Sequence, residues 1–235
     1  MNKRRIQLNG QRTLESMSQA LWYNRWTFGL FKRFLNGKIL EVGCGIGNFS
    51  PMLAQYGDVT ALDIEKSYIK IAKEKLKLKA TVGLGDIEKG HYFFKNKKFD
   101  TVVCLNVLEH VKDDESALKN IHQLLKPNKL LILLVPANLF LYGRIDSAIG
   151  HFRRYRKGDL KRLLIDNKFK IISCREINFL GAIGWWFSGN VLGDKIVSKI
   201  KLRTFDHLAR FYLPLENFIA PPFGTSIVIV AKKSV

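Results

Sequence analysis

Residues 39–50 read ILEVGCGIGNFS: an apolar run carrying one acid, Glu41, then glycines at 43, 45 and 47, then a polar helix start. A strand that turns sharply into a helix brings backbone N–H groups and a helix N-terminus to one point, where a polar or anionic ligand can be held. Glycine is needed there because a side chain would block the approach or because φ is positive. The G-C-G-I-G spacing differs from the G-x-G-x-x-G of a pyrophosphate-binding turn. A second acid, Asp63, closes the next apolar run, DVTALD, about 20 residues on, where a ribose diol can be gripped.

The pattern around this loop alternates. KILEVG, DVTALD, TVGLGD, FDTVVCLN and KLLILLV read as strands; Asn48 to Tyr56, Lys66 to Leu78 and Asp114 to Leu125 read as helices. Apolar strands alternating with helices argue for a parallel sheet covered on both faces. A helix near Lys157 to Ile165, a strand KFKIISCREI and a last strand TSIVIVAKK follow. The segment between those two strands, residues 178–223, is too long for a simple connection. It predicts a helical insertion, with Val197, Ile200, Leu208, Phe211, Leu215 and Phe218 at helical spacing. Trp22 and Trp26 precede the first strand, and Trp185 and Trp186 lie in the insertion, so no tryptophan falls in the alternating core. The two tryptophan regions pack together, or both face a lipid or substrate surface.

The length of 235 residues suits one domain with one sizeable core. Its parts are an N-terminal helical region (1–37), a ligand-binding core (38–136), a substrate-side segment (137–177), the insertion (178–223) and the last strand (224–235). A net charge of +19 points to a polyanionic neighbour: nucleic acid, an anionic membrane or a phosphorylated substrate. Three scattered cysteines form no disulfide framework or zinc pattern, and no metal-ligand spacing is evident. A cytoplasmic location fits the cysteines, and no stretch is apolar for the roughly 20 residues of a spanning helix.

ILEVGCGIGNFS, VTALDIE, GDIEK, FDTVVCLNVLEHV and LLKPNKLLILLVP, in this order over residues 38–136, resemble the class I S-adenosylmethionine-dependent methyltransferases. The subset resembled is the one with a G-H-x-R-R-Y segment, here GHFRRY from Gly150. The resemblance implies a Rossmann-like, doubly wound, mostly parallel sheet of seven strands. TSIVIVAKK would be its antiparallel last strand, inserted beside KFKIISC, and an N-terminal helix would form a lid. It implies S-adenosyl-L-methionine as cofactor: Gly43, Cys44, Gly45 and Gly47 lining the methionine, Glu41 organising the loop, and Asp63 on the ribose hydroxyls. Ile64 would stack beside the adenine, Asp86 and Ile87 would meet its edge, and Asn106 and Val107 would close the pocket. Ile64 and Ile87 also read as core residues and Asp86 as a turn residue.

Methyl transfer from a sulfonium is an in-line displacement of an already activated group, so alignment and a dry site are the main demands. His110 and His151 are the candidate catalytic bases. Arg153, Arg154 and Tyr155 are assigned to substrate binding, paired arginines being suited to phosphate or carboxylate. Trp22 and Trp26 join them on the basic, aromatic N-terminal helix, which reads either as a lid or as a face in a membrane interface. The leading reading is methyl transfer, with oxygen as the expected acceptor atom, to a small lipid-linked, isoprenoid or glycan-type acceptor. The enzyme would be peripheral at the inner membrane face. Rivals are an RNA or protein methyltransferase using the basic surface, a nicotinamide oxidoreductase, and a non-catalytic cofactor-binding scaffold. Nucleic acid is the weaker partner, since LNVL lacks the proline–aromatic signature that holds a flipped base.

Overall fold

The structure is a computed structural model that describes residues 3–77, 79–194 and 198–234. Its sheet contains β1 (Lys38–Val42), β2 (Asp58–Asp63), β3 (Thr81–Asp86), β4 (His91–Tyr92), β5 (Phe99–Leu105), β6 (Leu125–Pro136), β7 (Phe169–Ile177) and β8 (Ser226–Lys233). The strand order is β4-β3-β2-β1-β5-β6-β8-β7. The run β3-β2-β1-β5-β6 is parallel, and β8 lies antiparallel between β6 and β7. The last strand therefore inserts where the resemblance places it. The expected count of seven is corrected to eight by β4. After β3 the chain turns back at Gly90 (φ 69°), and His91–Tyr92 pair antiparallel with Asp86 and Gly85. Two residues carry no readable strand period.

The helices are α1 (Lys3–Met17), α2 (Leu21–Phe31), α3 (Ser50–Leu53), α4 (Lys66–Leu76), α5 (Asp114–Leu124), α6 (Arg144–Ile149), α7 (Lys157–Asp166), α8 (Phe179–Trp186) and α9 (Lys199–Tyr212). The helix expected from Asn48 to Tyr56 is thus a single turn. The expected end of α4 at Leu78, and Val197 in the insertion, lie outside the described residues.

Alternation along the strands sends side chains to opposite faces. Leu40, Val42, Val102 and Cys104 join one apolar cluster with Leu118 and Ile121 of α5 and with Leu160 and Leu164 of α7. Ile39, Val59, Ala61 and Val103 join the other, with Ile69 and Ala72 of α4 and with Phe28 and Phe31 of α2. Each such fully buried Ile, Leu or Phe contributes about 1.5–3 kcal/mol relative to exposure. A third cluster joins α2 to α9 through Ala20, Tyr23, Leu202, Ala209 and Leu213, with Trp22, Trp26 and Phe205 packed against it. The two tryptophan-bearing regions therefore meet through α2 and α9. Among the described residues no helix is long and apolar enough to cross a membrane.

After β1 the chain runs outward to β2 and β3, then crosses to β5 on the other side of β1. The strand order reverses between β1 and β5. In open α/β sheets the crevice at the C-terminal ends of such a pair is where ligands bind.

Candidate active site

The glycine loop leaves β1 into that crevice. Gly43, Gly45 and Gly47 have φ of 70°, 53° and 74°. At Gly43 glycine is required twice over, because a Cβ would also stand 2.2 Å from Val107 Cγ2 on the loop after β5. The N–H groups of Gly43 and Cys44 both donate to Leu62 O, at 2.8 and 3.0 Å, strapping the turn to β2. Glu41 is buried in β1 and accepts a short hydrogen bond from the Ser50 hydroxyl, which ties the start of α3 back to β1. Burial pushes the Glu41 carboxyl up to about 7, opposed by the Ser50 hydrogen bond.

Asp63 faces the same loop. Its Oδ2 accepts from Gly45 N–H at 2.8 Å and its Oδ1 from Glu65 N–H at 2.9 Å. Burial raises its pKa, and the backbone hydrogen bonds oppose the rise. Each oxygen keeps a second lone pair for a hydroxyl donor. Ile64, beside it, is 64% exposed and free to stack on a ring, whereas Ile87 is buried in the core beneath α5. Asp86 accepts from the N–H groups of Glu88 and Lys89 and so folds a turn. Asn106 takes a positive φ of 53° and its N–H donates to Leu134 O, so the chain bends at the end of β5 and presents Val107 to Gly43.

The roof is α1, in the N-terminal region where the resemblance implies a lid, whereas the tryptophans assigned to that lid lie on α2. Leu14 stands 3.1 Å from where a Gly45 Cβ would be. Asn48 Nδ2 donates to Leu14 O at 3.1 Å, Gln7 Nε2 to Glu65 at 2.6 Å, and the Tyr68 hydroxyl to Gln7 O at 3.2 Å. At its other end, Asn9 Nδ2 donates to Ala148 O at 3.0 Å, and Ile6 closes on Gly150. One helix thus spans from the glycine loop to the histidine cluster.

That cluster is built from two loops. A 3-10 turn, Leu108–His110, follows β5, and α6 leads through Gly150 into His151. Asp146 is its hub. It accepts from His151 Nδ1 (2.8 Å), Arg154 Nε (2.9 Å) and Nη2 (3.2 Å), Gly143 N–H (3.1 Å) and Trp185 Nε1 (3.3 Å). Burial alone would raise the Asp146 pKa, but the His151 hydrogen bond and the Arg154 charge outweigh it and hold the group below its usual range. An ionised carboxylate only accepts, so His151 Nδ1 carries a proton, and in the neutral ring Nε2 presents a lone pair. Nε2 lies 3.7 Å from Glu109 Oε1, beyond hydrogen-bond distance. Glu109 is fully buried, neither of its carboxylate oxygens has a partner among the described residues, and burial raises its pKa to about 7. The His110 ring meets His151 edge-on at 4.6 Å, and its Nδ1 is 3.3 Å from Gly150 O. Protein atoms crowded around the ring, with His151 beside it, lower the His110 pKa, although the residue stays exposed to solvent. Two functions fit: a base whose tautomer is set by Asp146, or a cation site, since donor atoms of Glu109, His110 and His151 lie within 4.8 Å of one another. No metal spacing was visible in the sequence because the turn and His151 are far apart along the chain.

The arginine run behaves differently from its expectation. Arg154 is buried and spends its guanidinium on Asp146 and on Ala137 O at 3.0 Å. Arg153 pairs with Asp114 at 2.7 Å and donates to Lys112 O, and the Tyr155 hydroxyl donates to the same Asp114 at 2.9 Å. These three side chains clamp the loops after β5 and β6 together. Trp22 and Trp26 stack at 6.4 Å in the α2–α9 interface. Asp146, Glu109 and Trp185 were missed as site residues. Glu109 directly precedes His110 and Asp146 lies five residues before His151, but their convergence is set by the loops.

A family model described as a methyltransferase domain matches residues 40–133. The chain is 38% identical over 199 residues to a ubiquinone biosynthesis O-methyltransferase of Rickettsia typhi, covering 77% of this chain and 76% of that protein. A protein of the same name from Coxiella burnetii is 37% identical over 115 residues, 46% of this chain, and the matched stretch is about half of that relative's length (48%). The solved phosphoethanolamine N-methyltransferase 2 of Haemonchus contortus, in complex with S-adenosyl-L-methionine, shares the fold. Its TM-score is 0.62 at 18% identity, covering 90% of this chain and 53% of that one. The long match to the Rickettsia protein shows the same ancestry, and the chain belongs to the class I S-adenosylmethionine-dependent methyltransferases.

Proposed function

We propose that this methyltransferase acts on a hydroxyl oxygen of a small lipid-linked, isoprenoid-type acceptor drawn from an anionic membrane. The observation that carries the oxygen assignment is the Asp146–His151 pair under the same roof helix as the glycine loop. A neutral amine needs no base, whereas a hydroxyl transfers far better as its anion. The names of the Rickettsia and Coxiella relatives support oxygen as the acceptor atom. S-adenosylmethionine, when bound, supplies an activated methyl group on a sulfonium. His151 Nε2 would take the proton of the acceptor hydroxyl, whose oxygen would receive the methyl group. Asp146 stabilises the resulting imidazolium, and α1 excludes water.

The test uses a simple catechol as acceptor. His151→Gln leaves S-adenosylmethionine binding near normal and lowers turnover about 10²–10⁴-fold; unchanged turnover removes His151 from the reaction. Glu109 favours a second reading, because its two orphan oxygens suit a divalent cation held with His110 and His151. In that case a chelator abolishes transfer and added Mg²⁺ restores it.

A further inference from the structure

The insertion leaves an apolar surface that the fold does not use. On α9, Leu202, Phe205, Ala209 and Tyr212 turn toward α2. At 100° per residue, Ile200 and Phe211 fall on the opposite side, and they are 78% and 67% exposed. The 3-10 turn that follows (Leu213–Asn217) and the chain after it continue the surface with Leu215, Phe218 and Ile219, Phe218 being 88% exposed. On α8 and the π turn after it (Phe187–Val191), Leu180, Ile183, Phe187 and Val191 recur at helical intervals and are all exposed. A surface helix needs one apolar stripe; here a second stripe points away from the protein. Contiguous exposed apolar surface marks an interaction site.

Charge identifies the occupant. Lys199, Arg203 and Arg210 flank the outer face of α9 and are exposed, while Lys201 pairs with Asp194, the one acid of the preceding turn. The two acids of residues 199–219 are both turned inward. Asp206 accepts from the N–H groups of Trp22 and Tyr23, and buried Glu216 accepts from those of Asn178 and Phe179. The outer face of α9 is therefore apolar with Lys199, Arg203 and Arg210 at its rim, on a chain of net charge +19. A second copy of the chain would bring basic rim against basic rim. An anionic bilayer accepts both the apolar side chains and the cationic heads.

We infer that residues 179–194 and 198–219 form an anionic-lipid docking surface, with Ile200, Phe211 and Phe218 as its apolar anchors. It deepens the membrane part of the proposed function by naming the surface, and it replaces the N-terminal tryptophans, which are spent on the α2–α9 contact. The opposite side of α8 reaches the site: Trp185 Nε1 donates to Asp146, and the Arg154 guanidinium lies 5.2 Å from the Trp185 ring centre. Docking would seat α8, whose other side touches Asp146 through Trp185, against the bilayer that holds the acceptor.

The test is vesicle flotation of the full chain with phosphatidylglycerol or phosphatidylcholine vesicles. Wild type floats with the anionic vesicles, and binding falls steeply with added salt. The triple variant Ile200→Glu, Phe211→Glu, Phe218→Glu weakens binding about tenfold or more, while its circular dichroism and its calorimetric affinity for S-adenosylmethionine stay at wild-type values. Flotation of the variant equal to wild type overturns the inference, as does wild type that ignores anionic vesicles. A wild-type dimer that the variant converts to monomer in light scattering also overturns it, assigning the face to a second copy. Catechol methylation measured without vesicles reports on the proposed function separately, so the two can fail independently.

Discussion

Asp146→Asn is the substitution on which the reading of the site depends most. Five donors converge on this one buried carboxylate, two of them from Arg154, whose side chain is 2% exposed. An amide keeps one accepting oxygen but presents an NH₂ where the other stood, and it removes the countercharge of a buried guanidinium. Removing one partner of a buried ion pair costs about 3–5 kcal/mol. That is a large share of the roughly 5–15 kcal/mol by which a domain is stable. For a chain of this size it corresponds to a fall in Tm of roughly 6–20 °C. Arg154→Met alone loses the same pair from the other side. The double variant is less destabilised than the two single losses summed, by roughly 1–3 kcal/mol, because neither charge is then stranded. In activity the consequence is separate. An amide NH₂ opposite His151 Nδ1 moves the ring proton to Nε2, so turnover falls about 10²–10⁴-fold at temperatures where the protein stays folded. Urea unfolding followed by circular dichroism gives the stabilities, and single-turnover transfer to catechol gives the rate. Single-variant losses that simply add, within about 0.5 kcal/mol, would refute the coupled pair. A folded Asp146→Asn enzyme with native turnover would refute the tautomer argument.

Three further outcomes follow from the same geometry. The Glu41 carboxyl, raised by burial to about 7 from an ordinary 4.5, holds its proton more tightly in the folded chain than in the unfolded one. Its contribution is therefore fully present below the unfolded value and is lost as pH rises through about 7, a change of about 3 kcal/mol. Urea midpoints of the cofactor-free protein should show the stability of Glu41→Gln over wild type growing from pH 5 to pH 8, and a constant difference would contradict the burial argument. Gly43→Ala meets both a left-handed backbone, worth about 1–2 kcal/mol, and the Val107 methyl; Val107→Ala in the same chain should restore part of the lost Tm but leave the backbone part. Asp206→Ala uncaps α2 at the N–H groups of Trp22 and Tyr23 and should cost about 1 kcal/mol, a fall of about 2–4 °C in a thermal melt. An unchanged melt would mean that the α2–α9 contact does not depend on that cap.

The parts that the sequence made legible are the parts whose structure is local. The glycine loop, its positive φ values and the acid at the end of β2 lie within a short stretch, where one strand period and one turn decide everything. The antiparallel place of β8 followed from the family resemblance. What was illegible is what depends on partners distant in sequence. The resemblance implied a lid from the N-terminal region, but which helix forms it rests on Leu14, Gln7 and Asn9 of α1 meeting residues from three other segments. The arginines of the G-H-x-R-R-Y run looked free because nothing nearby in sequence shows that Asp146 and Asp114 will claim them.

The insertion shows why periodicity alone mislabels a face. Ile200, Leu208, Phe211, Leu215 and Phe218 recur at helical spacing, and a stripe of that kind ordinarily marks the side that meets the core. In the folded chain they are the outward side, and Leu202, Ala209 and Leu213 are the inward one. Both sides are apolar, so the 3.6-residue period cannot choose between them. The rotation is decided by a polar constraint. Helix α2 begins without a side-chain cap of its own, and its first N–H groups find their acceptor in Asp206 of α9. Turning α9 by half a revolution would cover Ile200 and Phe211. It would also carry the Asp206 carboxylate into water, strand the N–H groups of Trp22 and Tyr23, and bring Arg203 and Arg210 toward the apolar interface. Stranded N–H donors and desolvated guanidiniums cost more than exposed methyl and ring surface. The helix therefore settles with Ile200 and Phe211 outside, a surface left over once the polar groups are satisfied, and the proposed lipid contact would cover it without disturbing that cap.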